Sequence, residues 1–343
     1  MRFTYSPLTL QLRNPFRLSY GTSETRPAWW IRLADDSGWG ETAIPPYYGI
    51  SDASMMALWE QLAQSNQPFP EEIDEVAAWV GADGPAPARC GVELALYDRI
   101  ARKHNLPLYA LLGLPKPQPK QTCFTIAIDT PESMARLALE VPDYGTIKIK
   151  LGSDDDESRL AAIRAARPDA RLRVDANAGW SLPEALRLVE RLEGFDLEMI
   201  EQPLAKSEIE GLGEVQRHTL IPIVADESVQ TLADVERLAK AGVAGINLKL
   251  QKIGGLTPAL QILQRARELG LRVMLGCMIE TSIGATAMAH LSGLAEWVDL
   301  DSPMLISNDP FCGITYDPHA FITVPERPGI GVHLKDAQGE AHD

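Results

Sequence analysis

The sequence predicts an α/β protein: a TIM-type (β/α)7–8 barrel with an α+β capping domain built from the N-terminal region and the C-terminal tail. Three observations carry this reading. From about residue 120 onward, short apolar β-branched runs alternate with amphipathic helical stretches, and eight such runs can be counted. Three successive runs, LRVDAN, LEMIEQP and PIVADES, each end in an acidic residue, about 25 residues apart, the length of one strand–helix unit. The 343 residues also exceed the roughly 250 of a barrel alone, which leaves room for a second, smaller domain.

Residues 1 to about 50 read as antiparallel β structure. FTYSPLTLQL and WWIRLADDSGWGE alternate apolar and polar residues around the turn signal Asp36-Ser37-Gly38. Between them, the polar, glycine-containing NPFRLSYGTSETRP is expected to be a mobile loop. IPPYYGIS (Ile44–Ser51) is expected to be a second loop, and a pair of loops beside a barrel mouth would act as a substrate lid. From Ala53 to about Leu112 the pattern is helical, clearest in CGVELALYDRIARKH. LLGLPKPQPKQ then breaks it with glycine and three prolines, as a domain linker would. The expected division is a capping domain over 1–118, the barrel over 119–303, and a segment over 304–343 that returns to the cap. The barrel strands are CFTIAI, GTIKIKL, RLRVDA, LEMIEQP, PIVADE, GINLKL, RVMLGC and WVDLDS, with the last helix expected to be missing.

Composition narrows the function. A net charge of −15 argues against a nucleic-acid partner. The start lacks an apolar signal-peptide region, and the longest apolar stretch, around Ile283–Ala295, is too short and too interrupted to span a bilayer. Cys90, Cys123, Cys277 and Cys312 show no CxxC spacing and read as reduced thiols, so the expected location is the cytoplasm. The six histidines (His104, His218, His290, His319, His333, His342) fall outside the strand ends and read as structural or surface groups.

Acids at the C-terminal ends of consecutive barrel strands sit where barrel enzymes keep their chemistry. Asp175, Glu201 and Asp226 offer three hard oxygen ligands, a set suited to one Mg²⁺. On the second strand, alternation puts Lys148 and Lys150 on one face. Two ammonium groups together, near a metal, are expected to lower the pKa of one and make it a base. On the sixth strand Lys249 lies in an apolar run, while Lys252 is left open between a site residue and a solvated surface group. Strands two and six oppose each other in an eight-strand barrel, so lysines would flank a carboxylate held by the metal. Removing an α-proton on one face and returning one on the other would pass through an enediolate, whose charge the metal stabilises.

Together, Lys148-Ile149-Lys150, the three acids and Lys249 make the whole chain resemble the enolase superfamily, muconate-lactonizing-enzyme subgroup. The resemblance implies Lys150 and Lys249 as the acid/base pair, Lys148 as support for the substrate carboxylate, and a homo-oligomer. On the eighth strand, Asp299 and Asp301 share a face opposite the metal, where they would meet a cation. This Asp-Leu-Asp resembles the dipeptide epimerases, which use it for the substrate α-ammonium. Muconate, succinylbenzoate and N-succinyl amino acids carry no such group, so muconate cycloisomerase, o-succinylbenzoate synthase and N-succinylamino acid racemase stand second. A catalytically silent binding barrel stands third. Tyr20, Tyr48 and Met278 are the expected pocket residues, with Tyr47 beside them. Alanyl-glutamate epimerases often carry an arginine in the first lid loop. This chain has Leu18-Ser19-Tyr20-Gly21 there, with Arg17 and Arg26 nearby but out of register.

Overall fold

The computed structural model describes residues 2–335. Positions 336–343 of the expected C-terminal segment, His342 among them, lie outside the described residues. Three antiparallel strands open the chain: β1 (Phe3–Leu18), β2 (Gly21–Leu33) and β3 (Trp39–Thr42). Four helices follow: α1 (Asp52–Gln64), α2 (Ile73–Val80), α3 (Ala86–Lys103) and the single turn α4 (Leu108–Leu111). The hairpin differs from the sequence expectation. The stretch read as a mobile loop is strand up to a tip at Ser19-Tyr20, with a register shift between Gln11 and Phe16. A main-chain ladder is indifferent to side-chain polarity, so polar residues extend it while Phe16 and Leu18 bury inward. The tip is fastened to the barrel by Ser19 Oγ, which donates to the Asn177 carbonyl at 2.8 Å.

α3 packs on β3 at backbone contact. A Cβ on Gly40 would lie 1.9 Å from the Gly91 carbonyl oxygen, and one on Gly91 would lie 2.4 Å from Thr42 Oγ1. Only paired glycines permit that approach.

After the short strand β4 (Lys120–Gln121) the eight barrel strands follow in chain order: β5 (Phe124–Ile126), β6 (Thr146–Lys150), β7 (Arg171–Asp175), β8 (Leu197–Glu201), β9 (Ile223–Ala225), β10 (Gly245–Leu248), β11 (Arg272–Gly276) and β12 (Trp297–Asp299). They form one parallel sheet in sequential order. Each of the first five is followed by one helix: α5 (Pro131–Glu140), α6 (Asp156–Ala166), α7 (Leu182–Leu192), α8 (Ile209–Arg217) and α9 (Leu232–Ala241). β10 is followed by α10 (Leu250–Ile253) and α11 (Leu256–Glu268), and β11 by α12 (Ser282–Ala289). After β12 the described residues hold only one helical turn, α13 (Ser302–Leu305), so no eighth full helix occurs among them, as the sequence suggested.

The chain then leaves the barrel. Ser307 N–H donates to the Gln11 carbonyl at 2.8 Å, and Asn308 bonds Thr9 and Gln11, which puts this segment against β1. Short strands β13 (Phe311–Cys312), β14 (Thr315–Tyr316), β15 (Phe321–Thr323) and β16 (His333–Leu334) complete the described chain, with β15 pairing β4.

The cap and barrel meet through buried carboxylates aimed at helix starts. Glu41 on β3 accepts from Thr281 N at 2.8 Å, Thr281 Oγ1 at 2.7 Å and Gly284 N at 3.0 Å. Glu93 on α3 accepts from Thr257 N at 3.0 Å. Free N–H groups at a helix N-terminus favour an anion, which offsets part of the effect of burial, though burial still pushes both acids up to about 7.

Candidate active site

Period-two alternation builds the barrel interior in layers. Met199, Val224, Met274 and Trp297 form a separate buried apolar cluster inside the strands. Two residues further along β8, β9, β11 and β12 come Glu201, Asp226, Gly276 and Asp299. The lower layer is a dry plug, and the layer above it carries the charge. Gly276 contributes space: a Cβ there would lie 2.5 Å from Asn247 Oδ1 and 3.0 Å from Lys249 Cε.

Asp175, Glu201 and Asp226 are all buried, and each offers one carboxylate oxygen within 4.8 Å of the others. Among the described residues this is the one such acidic cluster with metal-ligand spacing. Lys148 Nζ lies 2.7 Å from Glu201, 3.0 Å from Asp175 and 2.7 Å from Asp299. Lys150 Nζ lies 2.6 Å from Asp175, and Lys249 Nζ 2.7 Å from Asp226.

Lys252 is fully buried and bonds the Asp226 carboxylate and carbonyl, so it is not a surface group. Outer partners fix the acids further: Asn177 N–H donates to Asp175 at 2.9 Å, and Asn247 Nδ2 donates to Glu201 at 2.8 Å.

The charges perturb one another. Burial pushes carboxyls up, but Lys148 and Lys150 outweigh it at Asp175 and hold that group below the ordinary range. At Asp226 burial is likewise outweighed by Lys249 and Lys252, and the group is held far down. Burial and then Asp175 raise Glu201 to about 8. The expected lowering of a paired lysine does not occur at Lys148. Burial lowers it, but Asp175, Asp299 and Glu201 win and raise it well above the lysine range. Burial also works against the Lys249 ammonium, and Asp226 overrides it and raises the group. Three close acids supply more charge than a neighbouring lysine removes.

Across the barrel, Asp299 and Asp301 line the same pocket as Lys148, Lys150, Lys249, Tyr20 and Met278. Their environments differ. Asp299 is matched by Lys148 and by Cys123 Sγ, which donates at 2.9 Å, and despite burial it is held below the ordinary range. Asp301 accepts from Thr125 N at 2.9 Å and, among the described residues, has no cation within ion-pair distance. Burial and then Asp299 push it up to about 7.

Tyr48, expected in this pocket, lines a neighbouring cavity instead, and Tyr47 lines both. The sequence reading passed over Arg26 as out of register. It is buried, lines the reaction pocket, and its Nε has no partner. Cys123, Cys277, Thr125, Asn177 and Glu227 went unassigned. Asn177 and Glu227 could have been found, since each sits one or two residues past a candidate ligand.

Comparison with known proteins agrees with this layout. The chain is 39% identical over 349 residues to an L-Ala-D/L-amino acid epimerase of Pedosphaera parvula, covering 98% of this chain and 100% of that protein. It is 35% identical over 340 residues to an L-Ala-D/L-Glu epimerase of Bacteroides thetaiotaomicron, covering 97% of this chain and 88% of that protein. The crystal structure of a dipeptide epimerase from Cytophaga hutchinsonii, complexed with Mg and the dipeptide D-Ala-L-Val, superposes with a TM-score of 0.90 at 30% identity, covering 99% of this chain and 98% of that one. Residues 4–113 match the mandelate racemase / muconate lactonizing enzyme N-terminal domain, and residues 132–338 the enolase C-terminal domain-like family. The chain is therefore a member of the mandelate racemase / muconate lactonizing enzyme family of the enolase superfamily.

Proposed function

We propose that this protein is a Mg²⁺-dependent dipeptide epimerase that inverts the α-carbon of the C-terminal residue by two-base proton transfer. The observation that carries the proposal is one pocket with lysines over a buried acid triad at one side and an unpaired buried acid, Asp301, at the other. A substrate held at both ends must carry an anion and a cation, as a dipeptide does.

Asp175, Glu201 and Asp226 would hold the ion. Three buried oxygen donors, each tied by a hydrogen bond or ion pair from a neighbour, fit a hard cation. Bound there, the ion supplies charge that weakens the acids' hold on the lysines and favours loss of an α-proton next to a carboxylate. Lys150 at the end of β6 and Lys249 just after β10 come from opposed sides of the barrel and so address opposite faces of an α-carbon between them. One lysine takes a proton at Nζ while the other gives one. Lys148 positions the substrate carboxylate, Asp301 holds the ammonium, and Asp299 keeps Lys148 in place. The Ser19–Tyr20 tip and the Pro46–Tyr48 turn cover the mouth and exclude water. The four cysteines form no disulfide among the described residues, which suits a reducing compartment, and we place the protein in the cytoplasm.

The test is a dipeptide panel in D₂O with Mg²⁺, read by mass spectrometry for α-deuterium gain. No gain in any dipeptide rejects the proposal. A second reading, N-succinylamino acid racemase, is favoured by one observation: buried Arg26, whose Nη1 donates to Ser23 Oγ but whose Nε has no partner, could meet a succinyl carboxylate. N-succinyl amino acids belong in the same panel and decide between the two.

A further inference from the structure

One buried residue ties together the three loops that carry the acid triad. Gln202 follows Glu201 at the end of β8 and is fully buried. Its N–H donates to the Val224 carbonyl on β9 at 2.8 Å, and its carbonyl accepts from Ala178 N, in the loop after β7, also at 2.8 Å. Its side chain is engaged at both ends. Oε1 accepts from Asp226 N at 2.8 Å and from Ser228 N at 3.2 Å, in the loop after β9. Nε2 donates to the Leu204 carbonyl at 2.7 Å and to Ser228 Oγ at 2.9 Å. Ser228 Oγ donates in turn to the Lys206 carbonyl at 2.9 Å. The main chain beside Asp175, Glu201 and Asp226 thus meets at a single residue. That main chain is strained. Gln202 has a φ of +33°, Asn177 +42° and Ala178 +59°, left-handed values that residues other than glycine rarely adopt. Such turns persist only where the surroundings over-determine them, and the bonds to Gln202 do so here.

Resting on the ion site of the proposed function, we infer that Gln202 is a positioning residue that fixes the spacing of the three acids and makes the site favour Mg²⁺ over a larger divalent cation, Ca²⁺. Gln202 offers the ion no atom of its own, because both ends of its amide are engaged. It acts through the acids, whose oxygens lie within 4.8 Å of one another. Mg²⁺ demands near-octahedral geometry at about 2.0–2.1 Å, whereas Ca²⁺ accepts looser sets at about 2.3–2.6 Å. A close set that cannot spread suits the smaller ion. A set freed from its brace can open, and Ca²⁺ loses less by that than Mg²⁺ does. Groups that orient metal ligands from outside commonly govern affinity in this way.

The experiment measures Mg²⁺ and Ca²⁺ affinities of the full chain by calorimetry, with urea unfolding of each variant alongside. Gln202→Met keeps the side chain's length and removes its hydrogen bonds. It should weaken Mg²⁺ binding by about tenfold to a hundredfold and Ca²⁺ binding by less, so that the Mg²⁺-to-Ca²⁺ ratio falls about tenfold. Ser228→Ala removes one of the bonds to Nε2 and should move the ratio the same way, by about threefold. Val189→Ala, a buried change on the outer helix α7, should lower stability and leave the ratio where it is. If Gln202→Met does not fold, Ser228→Ala decides alone. A ratio unmoved in the folded variants of Gln202 and Ser228 would overturn the inference and leave Gln202 a structural residue. A ratio that falls as far in Val189→Ala would overturn it too, by tracing the change to stability. An unaltered protein that binds neither ion would reject the ion site itself, and the inference with it.

Discussion

Asp301→Asn tests the ammonium end of the proposed substrate. Of the two aspartates at the end of the eighth strand, Asp299, its last residue, is already neutralised by Lys148 at 2.7 Å, whereas Asp301, two residues beyond it, is buried with only a backbone donor, Thr125 N at 2.9 Å. The substrate ammonium should therefore find its charge partner in Asp301. Removing one partner of a desolvated charge pair costs about 2–5 kcal/mol, so kcat/KM for a free dipeptide should fall by about 10²-fold, within a range of roughly 30-fold to several thousand-fold. An N-acetylated dipeptide, which has no ammonium, should be a poor substrate of the unaltered protein, and Asp301→Asn should narrow the gap. A pH signature follows from the raised carboxyl. Burial and Asp299 put Asp301 near 7, so it is ionised above that value and protonated below it. Apparent dipeptide affinity should weaken about tenfold for each pH unit below 7, because only the ionised form binds the ammonium. The assay is kcat/KM for the free and N-acetylated compounds, by α-deuterium exchange, from pH 5.5 to 8.5. If the N-acetylated compound is turned over as well as the free dipeptide, the reasoning about Asp301 is wrong.

Glu201→Gln should weaken Mg²⁺ binding and largely abolish exchange, and calorimetric titration with Mg²⁺ checks this separately from turnover; unchanged affinity would remove Glu201 from the ligand set. Lys150→Ala should stop α-deuterium exchange from one diastereomer of a dipeptide and Lys249→Ala from the other, with net epimerisation lost in both. Normal epimerisation by Lys249→Ala together with loss in Lys252→Ala would reassign the base on β10. His290 is held neutral: Tyr109 N–H donates to its Nδ1 at 3.3 Å, its Nε2 lies 3.0 Å from the Ile330 carbonyl, and burial lowers it from 6.5 to about 4. The unfolded chain takes up this proton below 6.5 and the folded one resists until about 4, so His290 lowers stability as pH falls through that window. The loss should approach about 3 kcal/mol, and urea unfolding of the protein against His290→Gln at pH 7 and 4.5 should show the variant with the flatter dependence.

Where side-chain chemistry and strand period coincide, the site could be read from the sequence. Asp175, Glu201 and Asp226 end apolar runs, and alternation alone puts Lys148 and Lys150 on one face. What escaped the sequence depends on backbone pairing or on contacts between distant segments. Polar residues 14–27 continue a hairpin because the ladder is made by main-chain groups. The sequence left Lys252 open between a site residue and a surface group, and a four-residue helix turns it back onto Asp226 and the Asn247 carbonyl. The raised Lys148 follows from Asp175, Asp299 and Glu201 together, and Asp299 lies 151 positions along the chain. Arg26 lies outside the lid-loop position where an arginine would be sought, and only the folded hairpin brings it to the pocket. His290 was read with the other histidines as a structural or surface group, and the fold makes it structural, a clamp between Tyr109 and Ile330.

The same residues that would recognise the ammonium also close the barrel, and this decides how they should be altered. β5 and β12 stand at the two ends of the sheet order, with no ladder between them. Side chains make the seam instead: Thr122 Oγ1 accepts from Leu300 N at 2.8 Å, Asp299 from Cys123 at 2.9 Å, and Asp301 from Thr125 N at 2.9 Å. Each aspartate is therefore held by the closure it makes, which preorganises it for a ligand. An alanine at 301 would remove both the charge and the bond to Thr125, and a loss of activity could then mean an opened seam. Asparagine keeps an acceptor for Thr125 and removes only the charge. If Asp301→Asn unfolds at the same urea concentration as the unaltered protein while Asp301→Ala unfolds earlier, the two roles separate, and the lost activity of the asparagine variant reports the ammonium alone.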